Sequence, residues 1–329
     1  MDEQKVLVTG GAGYIGSHAC KALQQLGFIP VTFDNLVTGW RDAVKFGPFE
    51  QGDLLNKSEI DWVFEKHSPV AVMHFAALSQ VGESIQKPGL YWHNNVMGSL
   101  NLIQTAVEYD CMDFVFSSTC ATYGEQDGVV LDEDSMQHPI NAYATSKRAI
   151  ENILADYQAT YGFNQVIFRY FNVAGADPEA EIGEFHQPET HLIPLILDAV
   201  TGKRDALTIF GTDYDTPDGT CIRDYVHVCD LVEAHLLGLN WLQEGRGSRI
   251  FNLGTGDGFS VLEVVEHAEQ VTKRAVPIRE GARRIGDCTK LLSGSSRATS
   301  ELGWSAARSN MKQMITDAWR WHQNGAYEK

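Results

Sequence analysis

Tyr143 and Lys147 stand four residues apart in the segment Tyr143-Ala144-Thr145-Ser146-Lys147. On a helix that spacing puts both on one face, about one turn apart. An ammonium beside a phenol favours the phenolate and lowers its pKa from about 10. The pair therefore predicts a general base that works near neutral pH. Chance produces such pairs in many helices, so the meaning depends on what lies beside them. Residues 114–119 (FVFSST) read as a strand running out into three hydroxyls, Ser117, Ser118 and Thr119. A hydroxyl at that edge could bond a substrate oxygen beside the tyrosine, or merely cap a turn.

A glycine-rich turn supplies the second constellation. The run KVLVT (5–9) leads directly into Gly10-Gly11-Ala12-Gly13-Tyr14-Ile15-Gly16, with Gly10, Gly13 and Gly16 spaced G-x-x-G-x-x-G. The first glycine permits a tight turn, the second a close approach to a pyrophosphate, and the third close packing of helix on strand. The helix beyond the turn offers free N–H groups and partial positive charge to phosphate. Asp34 ends the next β-rich run (30–34), 18 residues past Gly16. A carboxylate there can accept from ribose hydroxyls and repels a 2′-phosphate, which favours NAD over NADP. Asp34-Asn35 could also be a plain turn. Asp53 follows Gly52 at a similar strand end, within reach of an adenine.

The elements that must position these groups alternate. Strand patterns at 5–9, 30–34, 70–74, 113–117 and 165–169 are separated by helical ones. One helix carries Val96, Leu100, Ile103 and Val107, and another Ile150, Ile153, Leu154, Tyr157 and Tyr161. Strands alternating with helices predict βαβ units, hence an α/β, Rossmann-type, doubly wound parallel sheet. After about residue 174 the pattern changes to Pro, Gly, Asp and Thr clusters. The expected division is a dinucleotide-binding domain over 1–175 and a smaller, mixed α/β substrate lobe over 176–329, some segments of which return to the first domain. A helix is expected over about 228–243.

Composition narrows the class. The 329 residues carry a net charge of −17, with 43% hydrophobic and 21% charged residues. Such a field repels a phosphate backbone, so no nucleic-acid partner is expected. No run reaches the roughly 18 apolar residues of a membrane span. MDEQKVLVTG lacks the features of a signal peptide. Six scattered cysteines without C-x-x-C pairing suggest free thiols in a reducing cytoplasm. Glu184, His186, Glu189 and His191 match no helical ligand spacing; the segment reads as a polar loop, and no metal is expected.

With these residues placed, the chain resembles the extended short-chain dehydrogenase/reductase family, and within it the UDP-glucose 4-epimerases. The matching stretches include VTGGAGYIGSH (8–18), DNL (34–36), GDL (52–54), HFAA (74–77), SSTCATYG (117–124), YATSK (143–147), RYFNVAGADP (169–178), GTDYDTPDGTCIRDYVHVCDL (211–231) and RRIGD (283–287). The resemblance implies NAD-dependent 4-epimerisation of UDP-sugars through a 4-keto intermediate. Tyr143 would take the proton of the sugar 4-hydroxyl, Thr119 would hold the same oxygen, and Lys147 would also bind the nicotinamide ribose. For the cofactor it implies Tyr14, Ile15, Asp34, Asn35, Asp53 and Leu54 beside the loop glycines. Phe75, Ala76, Ala77, Asn94, Ser117 and Phe171 complete that set. For the UDP-sugar it implies Asn172, His191, Leu192, Arg223, Tyr225, Arg284 and Asp287, with Leu291 beside the C2 substituent. It also implies a homodimer through helices at about 95–109 and 143–161.

Some positions depart from the family pattern: Ser79 for a cofactor-contacting Lys, His93 for Asp, Thr190-His191 for an Asn pair, and Thr119 for Ser. A 4,6-dehydratase would need Asp-Glu after the threonine, where Cys120-Ala121 stand; the same absence argues against a UDP-glucuronate decarboxylase. A UDP-xylose/UDP-arabinose 4-epimerase remains an alternative. A non-catalytic NAD sensor would be expected to have lost the Tyr/Lys pair.

Overall fold

Val6, Leu7 and Val8 are all fully buried, Val6 and Val8 in one core cluster and Leu7 in another. A strand apolar on both faces belongs inside a sheet covered by helices on both sides. The computed structural model, which describes residues 4–126, 130–284, 288–325 and 327, has that arrangement. Its strands are β1 (Lys5–Thr9), β2 (Ile29–Asp34), β3 (Phe49–Gln51), β4 (Ala71–His74), β5 (Asp113–Ser117), β6 (Val130–Leu131) and β7 (Asn164–Tyr170). They continue with β8 (Asn172–Ala174), β9 (Leu207–Phe210), β10 (Ile222–His227), β11 (Arg249–Leu253), β12 (Gly258–Ser260), β13 (Ile278–Gly281) and β14 (Lys290–Ser293). The helices are α1 (Tyr14–Gln25), α2 (Lys57–His67), α3 (Val81–Gln86), α4 (Pro88–Tyr91) and α5 (Gly98–Glu108). Beyond them come α6 (Ala142–Tyr161), α7 (Leu192–Thr201), α8 (Val228–Gln243), α9 (Val261–Thr272) and α10 (Met311–Asn324).

Seven strands form one parallel sheet in the order β11-β7-β5-β4-β1-β2-β3. In register, Val6 lies opposite Ala71 and Pro30, and Phe116 opposite His74 and Ile167. Helices α1 and α8 cover one face through Ala19, Leu23, Leu231 and Leu239. Helices α2, α5 and α6 cover the other through Ile60, Phe64, Leu102, Ile103, Ile150 and Leu154. The fold is therefore the α/β, doubly wound, Rossmann type. The strand order reverses between β1 and β4, so their carboxyl ends open a crevice where ligands of such sheets bind.

A smaller mixed assembly lies beyond it. Strand β10 pairs antiparallel with β12 and parallel with β14 and β8, while β14 pairs with β6. Strands β9 and β13 form a separate parallel pair. Helices α7, α9 and α10 share a core built on Ile196, Val264, Met314 and Ile315. Strand β10 carries Arg223, and the short β8 carries Asn172 alongside it.

One helical face differs from expectation. The stripe Val96, Leu100, Ile103, Val107 assumes unbroken α-helical spacing, but Trp92–Met97 form a wide π-type turn ahead of α5. Each such turn adds a residue and rotates the helix beyond it. Among the apolar residues of this stretch Leu102, Ile103 and Ala106 are fully buried, while Val96 and Val107 are half-buried against the same core and Leu100 is half-buried.

Candidate active site

Strand β1 ends at Gly10, whose N–H donates to the Phe33 carbonyl at 2.9 Å and whose φ of +74° is left-handed. A Cβ there would meet the Ala76 amide nitrogen at 2.6 Å. A Cβ on Gly16 would run into the Gly10 carbonyl oxygen. Gly13 caps α1 without a side-chain bond, so the first N–H groups of that helix face the cavity rather than a capping oxygen. The turn thus needs glycine at positions 10 and 16, because a side chain there would collide with neighbouring backbone and break the tight turn that sets the α1 N-terminus at the cavity.

The cradle forms one wall of a cavity of about 490 Å³. Gly10, Gly13, Tyr14, Ile15 and Gly16 line it, followed by Asp34, Asn35, Asp53 and Leu54 at the ends of β2 and β3. Asp34 accepts from the Ala12 amide at 3.1 Å and the Leu36 amide at 2.8 Å. Burial raises its pKa, and the two amides oppose the shift. A carboxylate has about four acceptor positions, so two remain for a ribose. Asn35 donates to Asp53 at 3.1 Å, which locks the two strand ends together. Phe75, Ala76, Ala77 and Asn94 also line the cavity.

Across the cavity stand Thr119, Tyr143 and Lys147. Asn141 caps α6 by accepting from the Ala144 amide at 2.9 Å, which fixes Tyr143 in the first turn and Lys147 one turn on. Lys147 Nζ donates to the Ser117 carbonyl at 2.7 Å and sits 4.9 Å from the Phe116 ring centre. Burial pushes its pKa down to about 7. The Tyr143 phenol is raised by burial, against a lowering hydrogen bond with Thr119. This corrects the expectation of a lowered phenol. Lys147 spends its proton on a backbone carbonyl, and burial disfavours the charged form of both groups.

The remaining expected residues divide. Phe171, Asn172, His191, Arg223 and Leu291 line the same cavity. Asn172 donates to the Asp224 carbonyl at 3.0 Å, and Leu291 lies opposite Arg223 in the β10–β14 register. Ser117 does not line it. Its hydroxyl is 2.6 Å from the Tyr170 hydroxyl and its carbonyl holds Lys147, so it braces the wall from behind. Leu192 opens α7 against the second core, and Tyr225 is buried in that core. Arg284 lies over the Phe210 ring at 4.2 Å and does not line the cavity. Asp287 lies outside the described residues.

Other residues at or beside the cavity had no signal in local spacing. Asn95 donates to the Leu78 carbonyl and Ser146 hydroxyl and accepts from the Leu78 amide, so it ties the β4 loop to α6. It follows Asn94 on the π-type turn, a feature no periodicity rule reveals. Tyr170 lines the cavity beside Phe171, and burial pushes its phenol up to about 12. Trp40, Phe185 and Tyr327 come from three distant segments and pack together at the far end, Trp40 stacked on Tyr327 and Phe185 edge-on to both. The segment 183–191 crosses the cavity's edge and brings Glu184, His186, Glu189 and His191 together.

A family model described as NAD dependent epimerase/dehydratase family matches residues 6–254. The chain belongs to that family. The UDP-glucose 4-epimerase of Rhizobium meliloti (strain 1021) is 47% identical over 322 residues, 98% of each chain. The crystal structure of the UDP-glucose 4-epimerase from Brucella ovis in complex with NAD superposes with a TM-score of 0.94 at 45% identity, covering 97% of this chain and 98% of that one. A UDP-glucose-4-epimerase from Stenotrophomonas maltophila, with bound NAD and formylated UDP-arabinopyranose, gives a TM-score of 0.94 at 39% identity, with coverage of 97% and 98%. Membership in the family makes NAD the cofactor against which the glycine cradle and Asp34 are to be read.

The depressed Lys147 has a consequence for stability. Between about 7 and 10.5 the unfolded chain holds a proton that the folded Lys147 has lost. Stability therefore rises with pH across that window. The melting temperature of NAD-stripped protein should gain on that of Lys147→Met as the pH is raised from about 7 to 10. A difference that stays constant over the window would rule out the depressed amine.

Proposed function

We propose that the chain is an NAD-dependent 4-epimerase that interconverts UDP-glucose and UDP-galactose. The observation that carries the reading is the confrontation, across one cavity, of the glycine cradle with Thr119, Tyr143 and Lys147. Bound NAD supplies a hydride acceptor that later returns the hydride. The residues do the rest. Gly10, Gly13 and Gly16 admit the pyrophosphate to the α1 N-terminus, and Asp34 takes the ribose hydroxyls. Tyr143 accepts the proton of the sugar 4-hydroxyl, and Thr119 holds the same oxygen. Lys147 orients the nicotinamide ribose and stabilises the phenolate. Arg223 and Asn172 meet the nucleotide end, where a guanidinium can bond two phosphate oxygens. Cys120-Ala121 after Thr119 offer no acid or base for elimination, so the reaction stops at epimerisation.

A UDP-pentose 4-epimerase is the second reading, favoured by the likeness to the Stenotrophomonas protein seen with formylated UDP-arabinopyranose. Two further features belong to the proposal. The six cysteines are free, and among the described residues no helix is long and apolar enough to cross a membrane; we read the protein as cytoplasmic. We also read it as a homodimer, paired through α5, α6 and the turn before α5. Met97 is 45% exposed, Trp92 41% and Tyr161 56%, more apolar surface than this part of a lone chain needs.

Four measurements test these readings. Tyr143→Phe should lower kcat by at least about 10²-fold, the lower range for general-base catalysis, while UDP-sugar binding persists. Retention of near-normal kcat would remove Tyr143 from the chemistry, and stoichiometric NADP in the denatured supernatant would overturn the role of Asp34. Light scattering at micromolar concentration should give twice the 36.5 kDa chain mass; a single-chain mass would refute the dimer. The fourth concerns Leu291, which packs with Cys120 and Phe171 at the cavity wall. Its side chain cannot bond an acetamido oxygen, and leaving that group unpaired costs about 1–3 kcal/mol. UDP-GlcNAc should turn over poorly beside UDP-glucose, and Leu291→Gly should raise N-acetyl activity selectively. Equal kcat/KM for the two sugars in the wild type would sink this account.

A further inference from the structure

The segment 184–191 reads E-x-H-x-x-E-x-H, a spacing that belongs to no helix. The loop folds it so that one donor atom from each of Glu184, His186, Glu189 and His191 lies within 4.8 Å of every other. His191 Nδ1 is 2.9 Å from Glu184 Oε1 and 3.0 Å from Glu189 Oε1. His186 Nδ1 is 3.3 Å from Glu184 Oε1 and 3.6 Å from Glu189 Oε2. Ligands at about 2.0–2.2 Å around a tetrahedral ion are separated by about 3.3–3.6 Å. The four histidine–glutamate separations lie around that range, Glu184 meeting both imidazoles through Oε1 and Glu189 meeting them through its two oxygens.

Ion pairing alone explains the cluster incompletely. His186 Nδ1 is buried and makes no hydrogen bond of acceptable geometry, although two carboxylates are near it. An ion at the centre gives that nitrogen a partner. Glu184 and Glu189 expose only 7% and 12% of their side chains, so water cannot serve them freely. A dication with two neutral imidazoles balances two carboxylates, as two imidazolium rings would.

The ligands are also held from behind, as functional metal ligands are. Glu189 Oε1 accepts from the Thr190 and His191 amides at 2.7 and 2.8 Å. The Glu184 carbonyl accepts from Trp321 Nε1 at 2.9 Å, and the Phe185 carbonyl from Trp40 Nε1 at 2.7 Å. The loop is therefore anchored to the aromatic wall at the far end of the cavity, not waving in solvent.

We propose that Glu184, His186, Glu189 and His191 form a Zn²⁺ site that straps the 183–191 loop across the edge of the cavity. Two imidazoles and two carboxylates gathered within coordination reach of one point suit zinc, whereas Cu²⁺ favours tetragonal and Mg²⁺ octahedral oxygen sites. Four protein ligands leave no open position, so the ion shapes the cavity and takes no part in proton or hydride transfer. The assignment stands independently of which sugar the enzyme turns over.

The test uses the full chain without an affinity tag, dialysed against a chelator and titrated with Zn²⁺ in competition with a chromophoric chelator. One equivalent should bind, the melting temperature should rise with it, and Co²⁺ should give the visible absorption of a tetrahedral centre without a thiolate charge-transfer band. His186→Ala and Glu184→Gln should each weaken Zn²⁺ binding by at least about tenfold. Absence of saturable one-to-one binding to the wild type would overturn the proposal and leave an ion-pair cluster. So would a thiolate band, or binding undiminished in His186→Ala/His191→Ala. The wild-type titration and the Co²⁺ spectrum decide the matter even where a variant fails to fold.

Discussion

The geometry of the site depends on one buried ion pair, Glu151 with Arg169. Arg169 Nε and Nη2 donate to the two Glu151 oxygens at 3.0 and 2.6 Å, and the side chains are only 5% and 4% exposed. Removing two charges from water costs several kcal/mol per ion, at the order-of-magnitude level, so such a pair is tolerable only if its other bonding positions are filled. Here they are. Ser118 and Gln137 donate to Glu151, and Arg169 donates to the Tyr123 hydroxyl and the Glu133 carbonyl. The tyrosine in turn donates to Asn252. The network adds little net stability by itself but admits only one arrangement of α6, β5 and β7. Glu151 follows Lys147 by one helical turn and Tyr143 by two, and Ser118 adjoins Thr119. A single pair thereby fixes the three groups assigned to the chemistry.

Burial sets the electrostatics more than proximity does. The sequence places an ammonium beside a phenol, and from that alone the phenol should be lowered. In the folded chain desolvation penalises phenolate and ammonium alike. Lys147 falls to about 7 and the tyrosine rises. Spacing on a helix reports which groups meet; it carries no information about how much water they keep. The same reasoning applies to Asp34, whose pKa rises by burial despite two amide donors.

The parallel sheet, its two helical faces and the glycine cradle were legible because each is written in a local pattern. KVLVT can only be a strand buried on both faces, and a glycine at position 16 is demanded by the Gly10 carbonyl pressed against it. Tyr143, Lys147 and Thr119 were legible as types, and the fold supplied their meeting. Long-range placement was not. Tyr225 and Leu192 sit in motif-like stretches but face the second core, because strand alternation and helix phase turn them there. Arg284 settles on Phe210 rather than at the cavity. The π-type turn at 92–97 carries Asn95, whose side chain bonds the β4 loop, and no periodicity rule reveals it. The 184–191 quartet carries no periodic ligand signal, because an irregular loop rather than a helix does the gathering.

An epimerase faces a requirement that a dehydrogenase does not: the ring must present its other face to the same cofactor. Oriented hydrogen bonds to every hydroxyl would hold the ring in one pose and stop the second half of the reaction. The wall around Thr119 and Tyr143 is consistent with a loose grip. Cys120, Phe171, Val173 and Leu291 line it, and none of them is a strong directional partner for a hydroxyl. Binding energy must then be concentrated at the nucleotide end, to which the proposed function assigns Asn172 and Arg223 on the paired strands β8 and β10. That division, firm on the part that does not react and loose on the part that turns, is the use of remote binding energy that lets the reacting ring remain free.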